Sequence, residues 1–278
     1  MKKIGFVDYY ISEWHANNYP TWMAGCELGG EYKVAYAWAE LEASPEDNVT
    51  TEEWCAKYGA EKCNTLEELC EKSDYIVILA PSHPEKHFGY AETVLKYGKR
   101  TYIDKTFAPD LETAKKIFAI AEENGTPFFS TSALRYATEL DEYPACKSVT
   151  TSGGGETAEE YIVHQIEMLV KKIGIGATEI CADDFGAQIT FRVKYNDDRQ
   201  AMMIYGHSMP FAAYMSAEEN SPKYKAAKSS YFTIFVADML RFFKEGTTSF
   251  DIAETLEVMK IRDGALKAEK NIGEWIKL

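Results

Sequence analysis

Two side chains in this sequence have a type and a setting suited to moving a proton. Lys105 follows RTYID, a short β-branched and aromatic run, which places its ammonium at the carboxyl edge of a sheet, where doubly wound folds hold their ligands. There it can polarise or protonate a carbonyl oxygen. His164 lies in AEEYIVHQIEMLVKKI, one helical turn after Glu160. A carboxylate at that spacing raises an imidazole's basicity and fixes its tautomer, as proton abstraction requires. Each has a plainer reading, an exposed lysine after a strand and a histidine on a solvated acidic helix face. A third stretch, HPEKH, puts His83 and His87 four apart on one helical face, a metal-ligand spacing. No third ligand accompanies them and the glutamate does not match H-E-x-x-H, so no metal site is expected. Pro84 suits a first helical turn, which leaves His83 just before the helix.

The elements that must position these groups alternate. KIGFVD, YKVAYAWA, YIVILAP, RTYID and TPFFSTS read as strands, with helices between them, and the Gly-Lys and Asn-Gly pairs after the later helices mark C-terminal caps. The run from Tyr75 to Ala80 is apolar throughout, as expected of a strand covered by helices on both faces. This predicts an α/β fold whose N-terminal part, residues 1–136, is a Rossmann-type doubly wound parallel sheet. Past about residue 136 the pattern changes. In AQITFRVKY, Ile189, Phe191, Val193 and Tyr195 alternate with Gln188, Thr190, Arg192 and Lys194, a half-buried antiparallel strand; NDDR is a turn and QAMMIYGHSM its hairpin partner. Residues 137–278 are therefore expected to form an α+β domain with an open, mainly antiparallel sheet. Its last segment, Asp251 to Ile276, is expected to pack back on the first domain. Ile162, Ile166, Leu169 and Ile173 form one apolar stripe on the His164 helix, with Glu160, His164, Glu167 and Lys171 opposite.

Composition narrows the function classes. A chain of 278 residues with 46% hydrophobic side chains has material for one or two folded domains, and a net charge of −14 offers no basic footprint for nucleic acid or anionic lipid. The six cysteines form no CxxC pair, which favours reduced thiols and a cytoplasmic setting. No apolar run reaches the ~20 residues that span a bilayer.

Four stretches, in order and spacing, resemble the Gfo/Idh/MocA family of NAD(P)-dependent, mostly sugar-acting oxidoreductases: IGFVDYYISEWHA, ILAPSHPEKHFGYAETVLKYGKRTYIDKTFAP, STSALRY with Arg135, and SGGGETAEEYIVHQIEMLVKKIG. The resemblance covers nearly the whole chain. It implies that Lys105 and His164 handle the proton as hydride moves between a nicotinamide and a hydroxyl-bearing carbon, with Glu160 standing for the family's aspartate. It also implies that Asp8, Tyr9, Tyr10, Ile11, Glu40, Ala80, Pro81, His87, Asp104 and Lys105 line the dinucleotide. Around Lys105 two positions depart from the family: Asp104 replaces a glutamate and Thr106 a proline. Glu40, an acceptor for the adenosine ribose, favours NAD over NADP. A sugar-like small-molecule substrate and self-association through the open second sheet are further implications.

The phosphate turn fits least well. Aligning Ile11 and His15 with the family's G-x-G-x-x-h-x-x-x-H pattern puts Asp8 and Tyr10 where glycines belong, with one residue deleted. Two like unit charges about 4 Å apart repel by roughly 4 kcal/mol at an effective dielectric of 20, on the order of a thousandfold in affinity. Asp8 is expected either to face phosphate at that cost or to cap the following helix and occupy the anion site itself. Three readings follow: a nicotinamide-dependent oxidoreductase; a family-derived binding or regulatory protein that has lost the dinucleotide; and cofactor-independent acid/base chemistry by the same lysine and histidine.

Overall fold

The computed structural model describes residues 1–143, 145–216 and 223–278. Internal contacts divide the chain into two units, residues 1–131 with 232–251 and residues 132–231 with 252–278.

The first unit is built on six strands, β1 (Lys2–Asp8), β2 (Tyr32–Ala39), β3 (Glu61–Lys62), β4 (Tyr75–Ile78), β5 (Thr101–Ile103) and β6 (Phe128–Phe129). All pair in parallel, in the order β3-β2-β1-β4-β5-β6. That is the doubly wound order, with its strand-order reversal beside β1 and β4. Ile4, Phe6, Val7, Ile76, Val77 and Ile78 are fully buried, because helices α1 (Trp14–Ala24), α2 (Thr51–Tyr58), α3 (Leu66–Lys72), α4 (Pro84–Val94) and α5 (Leu111–Glu123) lie between the strands in sequence and cover the sheet. Gly5 has a packing reason: a Cβ there would lie 2.3 Å from Ser73 Oγ and 2.6 Å from Leu69 Cδ2, so its absence lets α3 close onto the strand. Gly98 and Gly125, at φ 65° and 60°, are the left-handed residues the sequence places after the helices.

The second unit holds β7 (Ser148–Gly153), α6 (Ala158–Ile173), β8 (Ala177–Asp184), β9 (Ile189–Tyr195), β10 (Gln200–Tyr205), β11 (Ala212–Ser216) and β12 (Lys223–Ala226). α7 (Tyr231–Glu245) then lies almost wholly in the first unit, and α8 (Ala253–Glu269) and β13 (Ile276–Lys277) complete the second. Its sheet runs β12-β11-β7-β10-β9-β8-β13, antiparallel except where β7 meets β10. The predicted hairpin is present, with Lys194 opposite Gln200 and Ile189 opposite Tyr205. Phe191, Val193 and Tyr195 are buried while Arg192 and Lys194 are exposed. The stripe of Ile162, Ile166, Leu169 and Ile173 lies in the core of this unit.

The return to the first unit is made by residues 232–251, not by the segment after Asp251. The reason lies in the side chains. Phe235, Phe242 and Phe243 of α7 set their rings 5.0, 4.8 and 4.9 Å from Tyr102, Phe129 and Tyr75 of the parallel sheet. Val258, Ile261, Ala265 and Ala268 of α8 instead join the core that contains α6.

Candidate functional site

At the carboxyl edge of the first sheet, β1 does not end in a tight turn. Backbone pairing with the β2 side runs on past the strand, with the Glu40 N–H donating to the Asp8 carbonyl at 3.1 Å and the Leu41 N–H to the Tyr9 carbonyl at 2.8 Å. The Asp8 carboxylate is 1% exposed. Its Oδ1 accepts from the N–H groups of Tyr9 (2.7 Å) and Ala80 (3.0 Å), while Oδ2 is buried without a hydrogen-bond partner among the described residues. Burial first, and then the neighbouring Glu13 charge, pushes its pKa well above the usual carboxylate range. Tyr10, Ile11, Ser12 and Glu13 are buried as well. The Tyr10 hydroxyl donates to Glu46 Oε1 (2.7 Å) and the Ser12 hydroxyl to Asp47 Oδ2 (2.8 Å), lacing this loop to the one after β2.

The cap of α1 is Glu13 rather than Asp8. Its carboxylate accepts from the His15 N–H at 2.7 Å and from the Ala16 N–H. Glu13 directly precedes the helix and reaches its first-turn donors, whereas Asp8 is turned across the sheet to the Ala80 N–H at the end of β4.

Beside Asp8, Ala80 has φ 57°, and the Pro81 carbonyl accepts from Lys105 Nζ at 3.2 Å. Lys105 is 9% exposed and its peptide bond to Thr106 is cis. Asp104 Oδ1 accepts from the Tyr102 hydroxyl (2.7 Å), while its Oδ2, buried without a hydrogen-bond partner among the described residues, lies 3.7 Å from His15 Nδ1. His15 Nδ1 is also 3.3 Å from Glu13. His87, expected at the cofactor, is fully buried between two carbonyls, Nδ1 3.0 Å from Phe107 and Nε2 2.5 Å from Leu79. Burial pushes its pKa down against the pull of those carbonyls, and the ring braces α4 against the residue after β4 and the segment after β5. His83 is the N-cap residue of α4 with Pro84 behind it, as the sequence implied.

Glu40 is already engaged. Lys86 Nζ donates to one oxygen at 2.6 Å and the Tyr90 hydroxyl to the other at 2.7 Å, and the lysine's hydrogen bond lowers the Glu40 pKa. Lys86 also lies 4.4 Å from the centre of the Tyr9 ring. Next to Glu40 is a pocket of about 520 Å³ whose lining includes Trp38, Leu66, Lys86 and Tyr90.

In the second unit, the His164 Nδ1 is 2.7 Å from Ser132 Oγ, a partner the sequence did not single out. Ser132 is held in turn: its Oγ accepts from the Leu134 N–H (3.2 Å) and its N–H donates to Glu167 Oε1 (3.2 Å). Glu167, expected on a solvated face, is buried because Arg135 Nε donates to its other oxygen at 2.8 Å and the arginine continues to Glu254 at 2.6 Å. Glu160 stands in the first turn of α6, its N–H donating to the Thr157 hydroxyl at 3.2 Å. Tyr161 and Phe211 flank the His164 ring at 5.8 and 5.6 Å.

Comparison with known proteins supplies the context. Residues 30–132 match the model of the GFO_IDH_MocA oxidoreductase family, NAD-binding Rossmann fold. A 66-residue stretch is 35% identical to the uncharacterized oxidoreductase YhhX of Escherichia coli, a match spanning 19% of that relative's length. The fold is that of UDP-N-acetylglucosamine 3-dehydrogenase GnnA from Acidithiobacillus ferrooxidans (TM-score 0.76, 13% identity, 98% of this chain and 97% of that one). It is equally that of an oxidoreductase from Agrobacterium radiobacter in complex with NAD+, L-tartaric acid and magnesium (TM-score 0.78, 12% identity, 99% and 98%). Tested against an NAD-type dinucleotide, the first unit fits poorly. The pocket beside Glu40 lies next to an acceptor already held by Lys86 and Tyr90, and the β1–α1 turn does not fit a diphosphate: the loop side chains are buried within it and a carboxylate already accepts from the first N–H groups of α1. Over residues 30–132 in sequence, and in its strand order, the first unit is similar to the NAD-binding Rossmann domain of the Gfo/Idh/MocA oxidoreductases.

Proposed function

We propose that this chain handles a small hydroxyl-bearing molecule of the sugar or polyol class, with Lys105 and His164 as its proton-exchanging groups. The observation that carries the reading is the 2.7 Å contact of His164 Nδ1 with Ser132 Oγ, which holds the ring on a buried support instead of leaving it on a solvated face. A neutral imidazole so held takes the proton of a substrate hydroxyl, and an ammonium such as Lys105 stabilises the oxygen that has lost it. The sugar dehydrogenase among the structures sharing this fold supports the substrate class. With a nicotinamide bound, as the NAD-binding family model implies, this proton movement would accompany hydride transfer. Glu40 would favour NAD over NADP, since a carboxylate accepts from a ribose hydroxyl and repels a 2′-phosphate. A second reading, ligand binding without a dinucleotide, is favoured by the filled β1–α1 turn.

The test is thermal unfolding of the whole chain against a panel of sugars, polyols and sugar acids. A ligand at 100 times its Kd stabilises by about 2.7 kcal/mol. At least one compound should raise the wild-type midpoint and lose that effect in Lys105→Ala and His164→Ala; a ligand that stabilises both variants as well as wild type would refute the assigned residues.

A further inference from the structure

The first unit carries more buried acid at its sheet edge than a dinucleotide site tolerates. Asp8, Glu13 and Asp104 are all nearly fully buried, and Asp8 Oδ2 and Asp104 Oδ2 have no hydrogen-bond partner among the described residues. An N-terminal helix end attracts an anion because its first N–H groups lack intrahelical acceptors. Here two of them, those of His15 and Ala16, are taken by the chain's own Glu13. The loop leading to the helix is fixed as well, by pairing of Asp8 and Tyr9 carbonyls with Glu40 and Leu41, and by the Tyr10–Glu46 and Ser12–Asp47 hydrogen bonds.

We infer that the first unit supplies its own anion: the Glu13 carboxylate occupies the N-terminus of α1 that a dinucleotide's diphosphate takes in this fold, and together with Asp8 it closes that position to NAD and NADP. Admitting a diphosphate would require Glu13 to give up two N–H donors, the loop to break its ties, and the buried Asp8 side chain to leave its place against the Tyr9 and Ala80 N–H groups. No glycine in the loop offers the backbone approach that normally replaces those contacts. This holds whatever the small-molecule ligand proves to be, so its failure and that of the sugar-class reading are separate results.

The experiment titrates the full chain with NADH and NADPH, followed by nicotinamide fluorescence and by calorimetry. No saturation is expected up to about 5 mM, and saturable micromolar binding would overturn the inference. The paired variant Asp8→Gly with Glu13→Ser removes both carboxylates and keeps a good N-cap residue. It should gain affinity by between about tenfold and about a thousandfold, the upper figure being what removal of one like-charge repulsion, that of Glu13, supplies. Should that pair fail to fold, Asp8→Asn with Glu13→Gln removes the charges at nearly constant shape. A folded variant that gains nothing overturns the assignment of the closure to these carboxylates.

Discussion

Two strand-turn-helix units in this chain solve the same geometric problem with opposite materials. Between β7 and α6 the turn is Gly153-Gly154-Gly155, and it closes by backbone packing: a Cβ on Gly154 would lie 2.1 Å from the Gly206 carbonyl, and one on Gly155, at φ 156°, 2.1 Å from the Tyr161 ring. The Gly155 carbonyl stays usable, accepting from the Tyr205 hydroxyl (2.8 Å) and lying 3.0 Å from His207 Nδ1. Between β1 and α1 the turn has no glycine, and side chains do the closing, two of them carboxylates. Glycine closure packs backbone against its neighbours and brings no acid; side-chain closure fills the space and buries carboxyl groups. The difference teaches that a Rossmann sheet keeps its strand order when its phosphate turn is replaced, since the order depends on the apolar strands and not on the loop.

The largest effect should come from breaking the glycine turn. Gly154→Ala puts a methyl against backbone that cannot rotate away, and the second unit should lose about 3 kcal/mol in urea unfolding. A loss under about 0.5 kcal/mol would mean that the β7–α6 approach is not tight. The charged turn should respond with the opposite sign. Asp8 has a folded-state pKa raised above its unfolded value, so the folded chain binds that proton more tightly. The stabilisation this gives is complete below the unfolded pKa and is lost as pH rises through the folded one. Asp8→Asn keeps an acceptor for Tyr9 and Ala80 and places an amide where Oδ2 has no partner, so it should stabilise by about 1–3 kcal/mol at alkaline pH. Its advantage should shrink toward acid in urea unfolding from about pH 5 to about pH 9, and an advantage that is flat or grows toward acid would show that Asp8 is not the titrating group.

Much of the fold was legible because its signals are local. Continuous apolar runs gave β1 and β4, alternation gave β9, and the left-handed Gly98 and Gly125 ended the elements before them. Lys105 was placed at the sheet edge by the strand before it. The rest depended on partners distant in sequence. Glu167 reads as a solvated glutamate until Arg135 is seen beside it, and Ser132 acquires its place only when α6 brings His164 to it. His87 lies at the expected point in the chain, but packing that no periodicity encodes closes two carbonyls around it. Glu13 escaped notice because glutamate is an uncommon N-cap residue; its place directly before WHANN, with the turn glycines missing, was the available signal.

The most direct measurement is a crystal structure of the whole chain grown with millimolar NADH. The account predicts the Glu13 carboxylate within hydrogen-bond distance of the His15 and Ala16 N–H groups and no diphosphate at the start of α1. Diphosphate density there, with Glu13 swung out, would contradict it.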